Sequence, residues 1–170
     1  ELGYLLGKYD LWSQYEPEGR GVMIAYASVY GGTENAANVL ACRLAEQGVH
    51  VKMFDVSVTP APYVVSDAFK YSHLVFASAT YNMGIFVTME DLLHDIAAHA
   101  LADRRYALIE NGTWSPASGK KMDALLSPLK GWSAVEPVLT VKSALRPDQA
   151  AQMQRLADAI AADVKAEQTE

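Results

Sequence analysis

The chain has 170 residues, of which 51% are apolar and 20% charged, with a formal net charge of −6. That length and composition specify one globular domain with a full core and exclude a disordered chain. The acidic balance argues against nucleic acid or an anionic membrane as partner, and no apolar run approaches the ~18 residues of a membrane span.

Residues 1–20 precede a regular alternation of strand and helix. Leu2-Gly3-Tyr4-Leu5-Leu6-Gly7 and Leu11-Trp12 make a short amphipathic piece, and Gln14 to Arg20 a polar connector. Residues 1–20 therefore read as a linker or N-terminal arm and 21–166 as the folded domain. The chain starts at Glu1 rather than Met, as a trimmed or excised piece would. No charged-then-apolar leader is visible, and a cytoplasmic location is expected.

Strand-like runs follow at 22–28, 49–55, 73–80, 106–111 and 135–143. Several are near-continuously apolar, as strands covered on both faces are. Helical stretches lie between them. The first, 35–47, carries Ala36, Leu40 and Leu44 at helical spacing and ends at Gly48, a C-cap residue. Others span 63–71, 86–100 and 118–129, and 147–166 opens with Pro147 at the first helical position. Strands alternating with helices imply parallel pairing through right-handed crossovers, hence an α/β three-layer sandwich with a five-stranded sheet. In the order 2-1-3-4-5, the loops leaving strands one, three and four meet at one rim, where ligands of such sheets sit.

Those loops carry the chemistry. Ser28, Val29, Tyr30, Gly31, Gly32 and Thr33 join a strand to a helix start. Unpaired helix N–H groups, flexible glycines and two hydroxyls make an anion seat. The loop holds no Lys or Arg, which suits one terminal phosphate gripped by neutral donors. A nucleoside triphosphate would call for the Lys of G-x-x-x-x-G-K-[ST]. The second loop is Thr80, Tyr81, Asn82, Met83 and Gly84. A flavin ring needs flat or soft side chains against its faces and amides at its polar edge. Tyr81 and Met83 supply the first, and Asn82 with local backbone the second. The third loop is Asn111, Gly112, Thr113, Trp114 and Ser115, whose Trp either packs on a neighbouring loop or stacks on a ligand. Each loop taken singly also reads as an ordinary turn; the three together make the case.

No catalytic residue and no metal site is assigned. His94 and His99 lie five apart on a helix, about 140° from each other, and cannot share a metal without further ligands. His50 and His73 read as surface positions. No G-x-S-x-G elbow is present. Cys42, the one cysteine, excludes an internal disulfide and, lying among Val39, Leu40 and Leu44, reads as a buried inert thiol.

Residues 22–34, 76–84 and 109–115 resemble the flavodoxin domain of flavodiiron proteins (A-type flavoproteins). Tyr9-Asp10-Leu11-Trp12-Ser13-Gln14-Tyr15-Glu16-Pro17 looks like the connector between the two domains of those proteins. The resemblance implies a flavodoxin-like fold over 21–166 that binds flavin mononucleotide (FMN). Ser28–Thr33 would hold the phosphate, and Thr80–Gly84 and Asn111–Ser115 the ring. It also implies electrons arriving from a rubredoxin or a reductase and leaving to a diiron centre in a separate metallo-β-lactamase-like domain, supplied in cis or trans. The iron-ligand pattern of that domain is absent from this sequence, so the chain resembles the cofactor half only. Gly32 departs from the family, which often has a polar residue there. The alternatives are a flavodoxin-like NAD(P)H:quinone reductase and a non-redox module that uses the anion loop for another phosphorylated ligand. Oligomeric state is open.

Overall fold

The computed structural model describes residues 1–166, and among these seven strands form one sheet. They are β1 (Gly19–Ala27), β2 (Val51–Asp55), β3 (Tyr71–Tyr81), β4 (Gly84–Ile85), β5 (Arg105–Asn111), β6 (Ser133–Ala134) and β7 (Leu139–Val141). The helices are α1 (Leu2–Ser13), α2 (Gly32–Glu46), α3 (Ala61–Ala68), α4 (Val87–Ala98), α5 (Ser118–Leu126) and α6 (Ala150–Ala166). The sheet order is β2-β1-β3-β5-β6, with β7 also on β5 and β4 folded back antiparallel on β3. All other pairings are parallel. With β6 and β7 as two halves of one fifth strand, this is the expected order 2-1-3-4-5 and a flavodoxin-like α/β/α sandwich.

The strand period of two sorts the core into two layers. Val22 and Ile24 of β1, with Val75 and Ala77 of β3, face α2 and α6, where Leu40, Leu44, Met153 and Ile160 are buried. Met23 and Ala25, with Leu74 and Phe76, face α3, α4 and α5, where Val64, Leu92, Ile96 and Met122 are buried. Each fully buried Leu, Ile or Met side chain contributes about 1.5–3 kcal/mol.

Four expectations are corrected. The run 135–143 is not continuous: the edge strand breaks between Ala134 and Leu139, around Pro137. A proline cannot donate to the ladder, and an edge strand tolerates the gap. The helix expected from residue 35 starts at Gly32. Cys42 is exposed, because the α2 stripe facing the sheet is Leu40 and Leu44, with Cys42 on the opposite side. His73 is buried, with Nδ1 2.8 Å from Ser72 Oγ and Nε2 3.0 Å from Asp163 Oδ2. Arg105 Nε donates to the same Asp163 oxygen at 2.5 Å, so this cluster ties α6 to the start of β3 and β5.

The arm is clasped to the domain at its C-terminal end. α1 buries no residue. Beyond it, Glu18 pairs with Lys8 and accepts from Trp12 Nε1 at 2.9 Å. The Tyr15 ring stacks on Phe69 at 6.4 Å. Arg104, fully buried, donates to the carbonyls of Tyr15 (2.5 Å), Phe69 (3.0 Å) and Ala102 (2.9 Å).

Candidate functional site

β1 ends at Ala27 and residues 28–31 turn the chain into α2. Gly31 is the N-cap at φ 82°, a left-handed conformation that glycine adopts at no steric cost. No side chain caps α2, so the amides of its first turn and the positive end of its dipole are open to an anion. Asn35 N–H closes the first helical bond to Gly31 O at 2.8 Å. Ser28 Oγ accepts the Gly31 N–H at 3.1 Å and keeps its own hydroxyl proton to donate. Thr33 is buried, Val29 is half exposed and Tyr30 is 98% exposed. At the end of β1, burial first, then the charges of Asp55 and Glu34, pushes the Tyr26 phenol above its ordinary value and keeps it neutral.

The second loop is a hairpin. Thr80 pairs with Ile85 and Tyr81 with Gly84, leaving Asn82 and Met83 as the two turn residues at φ 48° and 59°. Two left-handed residues in a two-residue connection match the twist of the flanking strands. Tyr81 packs edge-on against Phe86 at 5.9 Å while its ring stays partly exposed, as does Met83. Thr80 Oγ1 accepts the N–H groups of Ala117 (3.1 Å) and Ser118 (3.3 Å). It thereby caps α5, which has no cap of its own.

The third loop leaves β5 at Asn111. Its carboxamide Oδ1 accepts Ser143 N–H at 2.9 Å and its Nδ2 donates to Ser143 O at 2.9 Å. Gly112 is packed so closely that a Cβ there would lie 2.8 Å from Pro116 Cα and 3.0 Å from Thr80 Oγ1. Thr113, Trp114 and Ser115 are exposed, Trp114 at 97%. Glu110, buried just before the loop, accepts Gly119 N–H at 2.9 Å and the Thr140 hydroxyl at 2.7 Å.

The three loops leave neighbouring strands and touch. A Cβ on Gly32 would lie 3.1 Å from Asn111 Nδ2, which joins the first loop to the third, and Gly112 against Thr80 joins the third to the second. Ser28–Thr33, Thr80–Gly84 and Asn111–Ser115 therefore share one rim. Within them, the Asn111 side chain is committed to Ser143 and the Thr80 hydroxyl to α5. Sequence reasoning passed over the loop after β7, residues 142–146, whose Ser143 carbonyl fills the place a Gly32 side chain would need. It also passed over Glu110 and Ser118. Neither carries a glycine or aromatic marker. The available signal was position, since both lie beside a strand C-terminal end. Among the described residues, no group of three His, Cys, Asp or Glu side chains is placed to hold a metal ion, and no helix is long and apolar enough to cross a membrane.

Fold and rim together define an α/β protein of the flavodoxin type, with an uncapped helix start and exposed aromatic side chains at the switch point of its sheet. The chain belongs to the flavodoxin family, whose model, Flavodoxin, matches residues 24–158. FMN is the cofactor of that family. Among solved structures it is similar to the rubredoxin oxygen:oxidoreductase of Desulfovibrio gigas, with a TM-score of 0.91 and 22% identity over 99% of this chain and 42% of that one. The flavodiiron protein of Giardia intestinalis gives a TM-score of 0.84 at 18% identity, over 96% of this chain and 41% of that one. A flavodoxin from the domain Archaea gives 0.74 at 16% identity, over 86% of this chain and 99% of that one. The chain thus spans well under half of the larger neighbours. Its matched segments cover 20% and 30% of two curated relatives, both uncharacterized proteins of Methanocaldococcus jannaschii.

Proposed function

We propose that this chain is an FMN-binding electron-transfer module of the kind found in flavodiiron proteins. It would take electrons from a rubredoxin-type donor or a reductase and pass them to a diiron centre outside this chain. The convergence of three loops on one rim carries the reading: an uncapped helix start lies beside two loops bearing Tyr81, Met83 and Trp114.

The donor set fits the group. The α2 amides and the hydroxyls of Ser28 and Thr33 are neutral donors suited to a phosphate monoester, and no carboxylate stands among residues 28–33. Tyr30, Tyr81, Met83 and Trp114 offer flat or soft surface for a fused aromatic ring. When bound, FMN supplies the one- and two-electron chemistry. The chain's residues bind and orient it. Asn111 acts by holding the loop after β7 in place, and Thr80 by capping the start of α5, just beyond the third loop.

The test is to titrate FMN and riboflavin into flavin-free protein. The reading expects FMN to bind at one equivalent and at least tenfold more tightly than riboflavin, the difference being the phosphate seat. Equal affinity, or no binding of either, contradicts it. Transfer is tested by mixing the FMN-loaded chain with reduced rubredoxin and following the flavin spectrum.

A further inference from the structure

Across the 142–146 loop from the rim, between β7 and α6, lies a cavity of about 710 Å³. None of residues 28–33, 80–84 or 111–115 lines it. Its walls carry three cations from three places in the chain: Lys142 at the end of β7, Arg146 at the end of the loop, and Arg155 on α6. Among the described residues none of the three is in an ion pair. Glu136 and Asp148 also line the cavity, so its charge is mixed with a positive balance.

In a chain of net charge −6, unpaired cations gathered at one concavity repel each other and concentrate positive potential there. Two of the three are arginines, whose planar forks match phosphate oxygens in pairs. One wall is apolar, formed by Pro137, Val138, Leu139 and Leu156. Gln152 offers an amide beside it, while Gln149 is committed to the Thr140 carbonyl at 2.7 Å. The volume suits a small molecule of nucleotide size lying in an open cleft, since ligand sites run from about 300 to 1,000 Å³.

We infer that this cavity is a second ligand site, taking a nucleoside diphosphate: its phosphates on Lys142, Arg146 and Arg155, its base and sugar against the Pro137–Leu139 wall. The site stands apart from the FMN seat and does not depend on it.

The test uses the full chain, with FMN present, and titrates ADP and inorganic pyrophosphate separately by calorimetry. Three variants are compared: Arg146→Gln with Arg155→Gln, Thr33→Ala in the FMN seat, and Lys165→Gln as a remote exposed control. The expected result is one equivalent of ADP bound, at least tenfold more weakly in the double variant and within twofold of wild type in the other two. Pyrophosphate is expected to bind more weakly than ADP. No ADP binding, undiminished binding in the double variant, or loss confined to Thr33→Ala overturns the inference. Pyrophosphate binding as tight as ADP overturns the assignment to a nucleotide. Circular dichroism of the double variant checks its fold, which two exposed side chains leave intact. ADP binding without FMN binding would sink the electron-transfer reading and leave this one standing.

Discussion

The carboxamide of Asn111 reads both backbone groups of Ser143, accepting its N–H and donating to its carbonyl, each at 2.9 Å. Ser143 is held at φ 70°, a left-handed conformation a serine does not adopt freely, and its carbonyl is pressed onto Gly32 at the start of α2. One side chain thus sets the distance between the third loop and the start of α2.

Gly32→Ala tests that contact. In an isolated helix the change would be favourable by about 0.5–1 kcal/mol. Here the new Cβ would overlap the Ser143 carbonyl oxygen, and a backbone atom must move. Thermal denaturation is expected to show a loss of about 1–3 kcal/mol instead, with FMN affinity falling alongside. A stabilised variant would contradict the packing described. Asn111→Ala is expected to cost about 1–3 kcal/mol, since it leaves the Ser143 groups unpaired.

Met83→Gly should act in the opposite direction. Met83 sits at φ 59° in the Tyr81–Gly84 hairpin, where a residue without Cβ carries no steric penalty. The variant is expected to gain about 0.5–1 kcal/mol, or roughly 1–4 °C in melting temperature. If it loses stability, the Met83 side chain contributes packing that outweighs the strain.

Much of the fold was legible because its determinants are local. β1, β3 and β5 are near-continuous apolar runs, and Ala36, Leu40 and Leu44 mark the inner stripe of α2. The glycine-bearing ends of those strands marked the rim. The hairpin at residues 81–84 carries no hairpin signature in its sequence, because its turn is Asn-Met rather than Asn-Gly. The Ser143 contact was invisible for a different reason. Asn111 and Ser143 are 32 residues apart, and neither residue type signals the other. His73 escaped as well, because a lone histidine at a strand start carries no mark of the Asp163 that pairs with it from 90 residues on.

That pair gives a pH prediction. Burial alone would raise the Asp163 carboxyl, but hydrogen bonds from Arg105 and His73 overcome it and hold the group below its ordinary value. A carboxyl lowered in the folded state contributes stability above the unfolded value, near 3.9, and that contribution is lost as pH falls through the folded value. Asp163 is partly exposed, so the contribution is about 1 kcal/mol or less after screening. Asp163→Asn is expected to be less stable than wild type in urea at neutral pH, with the gap closing at strongly acidic pH. A gap that stays constant down to the acid limit would contradict the assignment.

Arg104 joins the arm to the domain. Arg104→Lys keeps the charge but loses the fork that reaches Tyr15, Phe69 and Ala102 together. The expected cost is about 2–4 kcal/mol, with faster limited proteolysis near residues 13–17. Unchanged cleavage would show that the Tyr15–Phe69 stack and the Glu18 contacts hold the arm without it.

Trp114, at 97% exposure, has almost no packing to lose. Trp114→Ala should leave the melting temperature of the flavin-free protein within about 2 °C, because surface changes of this kind fall within ±0.5 kcal/mol. Titrating FMN into flavin-free wild type and this variant, with the flavin's own fluorescence as signal, is the most direct measurement. Binding at one equivalent, weakened about 5- to 30-fold in the variant by the loss of about 1–2 kcal/mol of ring contact, is the expected result. Flavin that stays free in wild type, or binds both proteins equally, would show that the rim formed by β1, β3 and β5 does not hold the ring as described.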